Sequence, residues 1–358
     1  MLYKPDWPET REWLAGWWKR QVRGHWALGV TAPREKPLPA PAVPPDPADP
    51  RGFWMDDAWE FAGAERSMAA TFYGGVAFPW VTAGLGPGAL NLFLGSQPKF
   101  TRDTVWYNPI FTDPAAARLS FDPENSYWRW TLDATRRHLA RARGKCLVAM
   151  PDIIEGVDIL SELLGTEELL VHLLDCPGEI HRLLDDLDDL YFRAFEPLAE
   201  LIRDGVGGNA YMAFNGWGPG RTLKTQCDFS AMISPGMFAE FVVPHLERQC
   251  ARVDFSVYHL DGPNAVRHLP ALLRVRNLTA IQWTPGAGQP AAADPAWWDS
   301  VWRPVYAAGK AAMVLSVPPE QAAPFVREFG QAGTLLLTRC ESERAARRML
   351  EDSAGWGV

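Results

Sequence analysis

From residue 145 onward, the sequence alternates regularly between short apolar runs and segments with helical spacing. We predict strands at residues 145–152, 209–215, 223–228, 254–260, 278–284, 311–317 and 334–339, with helices between them. Each run is as short and apolar as expected for a strand that helices bury on both faces. Roughly eight β/α units in succession predict an α/β protein with a (β/α)8 TIM barrel. A doubly wound open sheet is the alternative.

The segment before this alternation is predicted to be an N-terminal extension that is helical and proline-rich. Helical spacing is present over residues 8–22 and 54–72, and the proline-rich stretch 33–50 lacks any apolar periodicity. A glycine-rich loop at residues 84–88 lacks the spacing of a phosphate-binding loop, so it predicts a turn. The predicted organisation is an extension over residues 1–70, packed on a barrel over residues 71–358.

Composition excludes several classes of function. The net charge of −8 argues against a nucleic-acid partner, because a binder of phosphate backbones is normally basic. No apolar run approaches the ~20 residues that cross a bilayer, so no membrane partner is expected. The N-terminus lacks a secretory signal pattern. Five widely spaced cysteines, with no CxxC pair, predict reduced thiols and a cytoplasmic protein.

Seventeen tryptophans are an unusual number for a chain of 358 residues, and many lie near the N-terminus. A well-packed aromatic core explains them, and so does the interface of a homodimer. They are also consistent with the wall of a pocket for a flat or sugar-like small molecule, because large aromatic faces dominate such contacts.

Polar residues cluster where the predicted strands end, which is where barrel enzymes place their active sites. We predict four catalytic residues, namely Asp152, Asp228, His259 and Asp261. Four others are predicted to contact substrate, namely Asn215, Trp217, Gln282 and Trp283. Ser316, Cys227 and Cys340 also fall at strand ends.

The sequence Tyr258-His-Leu-Asp-Gly262 carries the strongest chemical signal. His259 and Asp261 are two residues apart on a strand, so their side chains point to the same side. Zinc accepts imidazole, carboxylate and thiolate ligands, so His259, Asp261 and Cys340 could form a three-ligand catalytic site. Cys227 is a further candidate sulfur ligand. The metal-free alternative pairs His259 with a carboxylate of tuned pKa for proton transfer.

Several stretches resemble the uroporphyrinogen decarboxylase superfamily. They lie at residues 158–170, 174–180, 233–244, 258–262 and 281–286, within a region of resemblance that covers roughly residues 145–352. The resemblance implies a (β/α)8 barrel. It does not fix the reaction, because superfamily members catalyse several chemistries.

Two branches of that superfamily imply different functions. The Arg-Gln-Ala-Gly-Arg segment of true uroporphyrinogen decarboxylases is absent from this sequence, so porphyrin decarboxylation is not expected. The chain is closer to the cobamide-dependent methyltransferases, whose zinc motif is His-x-Cys followed by a distant Cys. His259 and Cys340 match that motif, but Asp261 replaces the first cysteine. The resemblance implies zinc and a corrinoid protein partner, and the carboxylate predicts a harder metal site.

The sequence therefore predicts a metal-assisted methyltransferase that acts on a small molecule with a corrinoid partner. One alternative is a metal-free decarboxylase or lyase that moves protons with Asp228, His259 and Asp261. The other is a non-enzymatic barrel that binds a small molecule against its tryptophans.

Overall fold

A computed structural model describes residues 1–357, which form a mixed α/β fold. The strands are β1 (Ala27–Pro33), β2 (Thr71–Gly75), β3 (Trp80–Val81), β4 (Pro98–Phe100), β5 (Val105–Tyr107), β6 (Leu147–Met150), β7 (Asn209–Tyr211), β8 (Gly216–Gly218), β9 (Thr222–Gln226), β10 (Phe255–Asp261), β11 (Ala280–Thr284), β12 (Ala311–Val317) and β13 (Thr334–Arg339). The helices are α1 (Trp7–Trp18), α2 (Gly52–Met55), α3 (Asp57–Ala70), α4 (Ala89–Phe93), α5 (Ser126–Ala142), α6 (Gly156–Leu164), α7 (Thr166–Asp175), α8 (Pro177–Leu201), α9 (Pro235–Phe241), α10 (Val243–Ala251), α11 (Leu269–Leu272), α12 (Arg303–Ala307), α13 (Pro319–Phe329) and α14 (Glu343–Ser353). In the part of the chain described, no helix is long and apolar enough to cross a membrane.

The larger sheet has seven strands in the order β2-β1-β13-β12-β11-β10-β9. All its neighbouring strands are parallel except β2, which pairs antiparallel with β1. Helices that follow the strands, such as α13 and α14, bury their apolar sides against this sheet. The carboxyl ends of six parallel strands consequently lie along one edge, where a site can form.

The smaller sheet has the order β3-β6-β7-β8 and is parallel except for β8. Within residues 1–357, the strand pairing does not close the two sheets into the predicted (β/α)8 barrel. The barrel stays open because of the strands at the edges of the two sheets. Antiparallel partners β2 and β8 occupy the outer sides of β1 and β7, and β3 is only two residues long. The fold is therefore α/β with mainly parallel sheets.

Local sequence explains why the helices begin where they do. Ser234 caps α9 by accepting a hydrogen bond from the Met237 amide at 3.2 Å, and Pro235 occupies the first turn, as the sequence predicts. The long helix α8 also begins at a proline and buries an apolar stripe that includes Ile180, Leu183 and Leu187.

The N-terminal segment is part of the core. β1 lies inside the larger sheet between β2 and β13, so a boundary at residue 70 passes through that sheet. The indole of Trp17 donates to the carbonyl oxygens of Ala312 and Gly333, at 3.2 and 3.1 Å. Trp7, Trp17, Trp18 and Trp26 are buried, as the aromatic-core interpretation predicts.

Candidate functional site

Three neighbouring strands place polar side chains side by side on one face of the larger sheet. Gln226 on β9, His259 on β10 and Gln282 on β11 are partners in the parallel register. Register partners in parallel strands point to the same face, and so do residues two positions apart. Lys224 and Asp261 therefore share this face, which forms a polar row at the carboxyl ends of the strands.

Asp228, His259 and Asp261 converge at the end of this row. Their candidate ligand atoms lie within 4.8 Å of one another. Asp261 is the last residue of β10, and Gly262 follows it with a φ of 77°. This left-handed conformation costs glycine little, so the strand can end sharply directly behind the pair. The predicted His-x-Asp-Gly motif thus forms a real cluster, and Asp228 completes it.

Gln282 fixes the orientation of the His259 imidazole. The Gln282 amide nitrogen donates to the Thr284 hydroxyl at 2.9 Å, so its carbonyl oxygen faces Nδ1 of His259. A carbonyl only accepts, so Nδ1 must carry the proton and Nε2 keeps its lone pair. Burial lowers the pKa of His259 despite that hydrogen bond, which favours the neutral ring. The imidazole is thus a ready metal ligand or proton acceptor.

Asp228 is held in place by a buried acid on α6. The two carboxylate oxygens of Asp158 accept hydrogen bonds from the amides of Asp228 and Phe229, each at 2.9 Å. Part of Asp228 is exposed, yet desolvation of its carboxyl group raises its pKa to about 7, with further contributions from the charges of Asp158 and Asp261. Asp228 therefore gains and loses a proton near neutral pH.

A buried ion pair lies beside the cluster. The ammonium group of Lys224 contacts the carboxylate of Asp152 at 2.5 Å and donates to the side chain of Gln226. The side chain of Lys224 is only 5% exposed, and that of Asp152 is 21% exposed. The positive charge of Lys224 opposes the rise in the pKa of Asp228. Asp152 contributes none of the three converging ligand atoms, but its own charge raises the pKa of both Asp228 and His259.

Three overlapping pockets lie beside the site, and none of Asp228, His259 or Asp261 is among the residues that line them. An outer pocket of about 480 Å³ has a mainly apolar wall that includes Phe53, Trp54 and Trp59, and Asp152 also lines it. A middle pocket of about 360 Å³ shares Glu60 and Thr82 with the outer one. An inner pocket of about 220 Å³ shares Thr31, Ala77, Asn215 and Arg339 with the middle one. Some of the N-terminal tryptophans thus form a pocket wall, as one interpretation of the sequence predicts.

Cys340 does not join the cluster. It follows β13 directly after Arg339, and its sulfur lies 3.8 Å from that of Met349 on α14. Cys340 is not among the residues that line the pockets, and its contact with Met349 places it against the helix layer. Cys227 is also turned away, because it follows Gln226. Burial raises the pKa of both thiols, which keeps them protonated.

The four predicted substrate-binding residues divide into two groups. Gln282 contacts His259, and Asn215 lines the inner and middle pockets while accepting a hydrogen bond from the Trp80 indole. The other two are core residues. The Trp217 indole donates to Asp204 at 3.0 Å, and the buried Trp283 ring packs against Trp297, 5.1 Å away between ring centroids.

Sequence reasoning missed Lys224, Gln226, Asp158 and Arg339. For β9, a signal was present in the run Thr222-Leu-Lys-Thr-Gln226, where polar residues two apart precede Asp228. A buried strand with that alternation has one polar face, which must face a site or a set of partners. Asp158 gave no such signal, because its role depends on where α6 meets the end of β9.

No protein-family model matches the sequence, and no curated protein matches it significantly. Comparison with solved structures gives a clear result. The chain is similar in fold to a methyltransferase from Methanosarcina mazei. The match has a TM-score of 0.61 and covers 97% of this chain and 99% of the other, at 12% sequence identity. At that identity the likeness shows a shared fold, and the resemblance to uroporphyrinogen decarboxylases stays a prediction from the sequence.

The donor set can be tested against the zinc site that the sequence resemblance implies. The thiolate set does not fit, because the Cys340 sulfur packs against Met349 and neither Cys340 nor Cys227 is among the residues whose ligand atoms converge. A set of one imidazole and two carboxylates does fit a divalent cation, since zinc accepts both ligand types. The Gln282 contact to Nδ1 is also the kind of outer contact that metal-bound histidines make.

Proposed function

We propose that the protein is a methyltransferase in which Asp228, His259 and Asp261 hold a divalent metal ion. The observation that carries the proposal is the convergence of their ligand atoms within 4.8 Å. Fold similarity to a methyltransferase over nearly the whole chain supports the reaction class. A metal bound there would act as a Lewis acid on a heteroatom of the substrate and lower its pKa.

The surrounding residues prepare the site for that role. Gln282 holds the His259 ring with Nε2 available, and Asp158 fixes the segment that carries Asp228. The Phe214 ring packs against His259, with 5.0 Å between ring centroids, and shields the imidazole from water. A small-molecule acceptor would enter through the pockets. A corrinoid on a partner protein is the methyl donor in this proposal, and the sequence resemblance supports that part.

Cobalt substitution tests the ligand set directly. Protein stripped with a chelator and loaded with cobalt(II) should bind one equivalent. Its visible spectrum should show d–d bands without a thiolate-to-cobalt charge-transfer band, because both cysteines lie outside the cluster. The protein with one bound cobalt should also remove the methyl group from free methylcobalamin when a small thiol is added as the acceptor. A strong thiolate band, or no cobalt binding, would contradict the proposed site.

Metal affinity is expected to depend on pH through Asp228. Its pKa of about 7 in the metal-free protein means that protons compete with the metal below neutrality. The lowered pKa of His259 keeps its imidazole neutral over the same pH range, so His259 adds little to the pH dependence of metal affinity. Affinity should fall about tenfold per unit below pH ~7 and level off above it, as measured by calorimetry from about pH 6 to 8. A constant affinity over that range would argue against Asp228 as a ligand.

A metal-free decarboxylase or lyase is the second candidate. The observation in its favour is the pKa of about 7 for Asp228, which suits a general acid or base at neutral pH. In that reaction Asp228 would supply a proton to a carbanion while Lys224 stabilised nearby negative charge. Chelation separates the two candidates: this one keeps its full activity without metal, whereas the methyltransferase loses it.

A further inference from the structure

Arg339 is an exposed residue that lines the inner and middle pockets and has no acidic partner within the part of the chain described. It is the last residue of β13, its register partner on β1 is Thr31, and both line the inner and middle pockets. Across residues 1–357, the ion pairs of the chain involve many arginines, but none involves Arg339. An arginine at the carboxyl end of a parallel strand, at the wall of a pocket and without an ion-pair partner, is placed to bind an anion.

Strained backbone marks the same cavity as a built site. Phe214, Asn215 and Ser316 have φ values of 70°, 53° and 52°, in the left-handed region that favours glycine. All three line the inner pocket with Arg339. Ser316 lies where the pairing of β12 with β13 shifts register between Val314 and Val317. Such strain and such bulges concentrate at ligand sites, because the surrounding structure must hold them in place.

The other polar groups near Arg339 are compatible with an anion. The Thr31 hydroxyl and the Tyr73 phenol line the middle pocket and can donate hydrogen bonds. Burial raises the pKa of Tyr73 to about 12, so the phenol keeps its proton. Glu60 is the one acid among the residues that line this pocket, and its carboxylate lies 3.6 Å from His138.

We propose that Arg339 binds the oxyanion end of a small organic acid whose other end reaches the His259 cluster. The path between them is short, because Phe214 lines the inner pocket and its ring also contacts His259. An inner volume of about 220 Å³ suits a short-chain molecule. The assignment of the reacting end rests on the proposed function, whereas binding of the oxyanion does not require the metal.

Calorimetry on chelator-treated full-length protein tests the subsite with glutarate, glycerol phosphate and the neutral glutaramide. At least one of the two anions should bind, and glutaramide should not. Arg339→Gln should weaken anion binding by about 10- to 100-fold, which corresponds to the loss of a charge-assisted hydrogen bond. Arg339→Lys should be intermediate, because lysine keeps the charge but loses the planar fork.

Two further variants make the outcomes distinct. Arg344→Gln removes an exposed arginine outside the pockets and should leave anion binding unchanged. Cys340→Ala, whose sulfur lies against Met349 in the helix layer, should also keep it. Because the protein is metal-free in this measurement, failure of the metal site and failure of this subsite can be told apart. Arg339-dependent binding of either anion supports the proposal and identifies the oxyanion. Binding of neither anion, or equal binding to wild type and Arg339→Gln at an unchanged melting temperature, overturns it.

Discussion

Replacing His259 with alanine is expected to lower the affinity for a divalent metal by at least about 100-fold. Loss of a residue that only supports a metal ligand costs up to about 100-fold, and loss of a ligand itself should cost at least as much. The variant removes one of three converging ligands and the only nitrogen among them. Methyl transfer should be lost with the metal. Equilibrium dialysis followed by metal analysis measures the first effect, and loss of methylcobalamin absorbance measures the second.

Cys340→Ala is the matched control for this experiment. The sulfur lies against Met349 in the helix layer, so its removal should leave metal content unchanged. His259→Gln, which is closer in volume to histidine, guards against collapse of the contact with Phe214. Normal metal content in both His259 variants would refute the site. Loss of metal in Cys340→Ala would instead restore the thiolate set that the sequence motif implies.

Much of the fold could be predicted because burial imposes a pattern on the sequence. β10 to β13 are apolar runs flanked by turn residues, and all four appear where they are predicted. β1 was missed, because the run Ala27–Pro33 ends in proline and stands before a long proline-rich loop. Closure of the barrel depends on edges occupied by β2 and β8, which periodicity within single strands does not encode.

The candidate site was only partly predictable for a related reason. His259 and Asp261 share a strand, so a two-residue period suffices to place them together. Cys340 was paired with them from spacing in a motif, whereas in the structure its sulfur packs against Met349 of the helix layer. The contact between Cys340 and Met349 joins a strand end to a later helix, and spacing in a motif does not encode it.

Replacing Lys224 with methionine is expected to destabilise the protein by about 3 kcal/mol, within the range for breaking a buried ion pair. The substitution keeps the length of the side chain but leaves the carboxylate of Asp152 without its cation, in a place where it is only 21% exposed. It also removes the charge that opposes the rise in the pKa of Asp228, so that pKa should increase further. Urea unfolding of the metal-free protein measures the stability change.

An exposed pair provides the comparison for this variant. Arg203 and Glu200 are one turn apart and largely in water, so Arg203→Gln should change the unfolding free energy by less than about 1 kcal/mol. The double variant Lys224→Met with Asp152→Leu should recover much of the lost stability, because it no longer strands a charge in a poorly hydrated place. If Lys224→Met alone were as stable as wild type, Lys224 would not be the counter-ion that holds the polar row together.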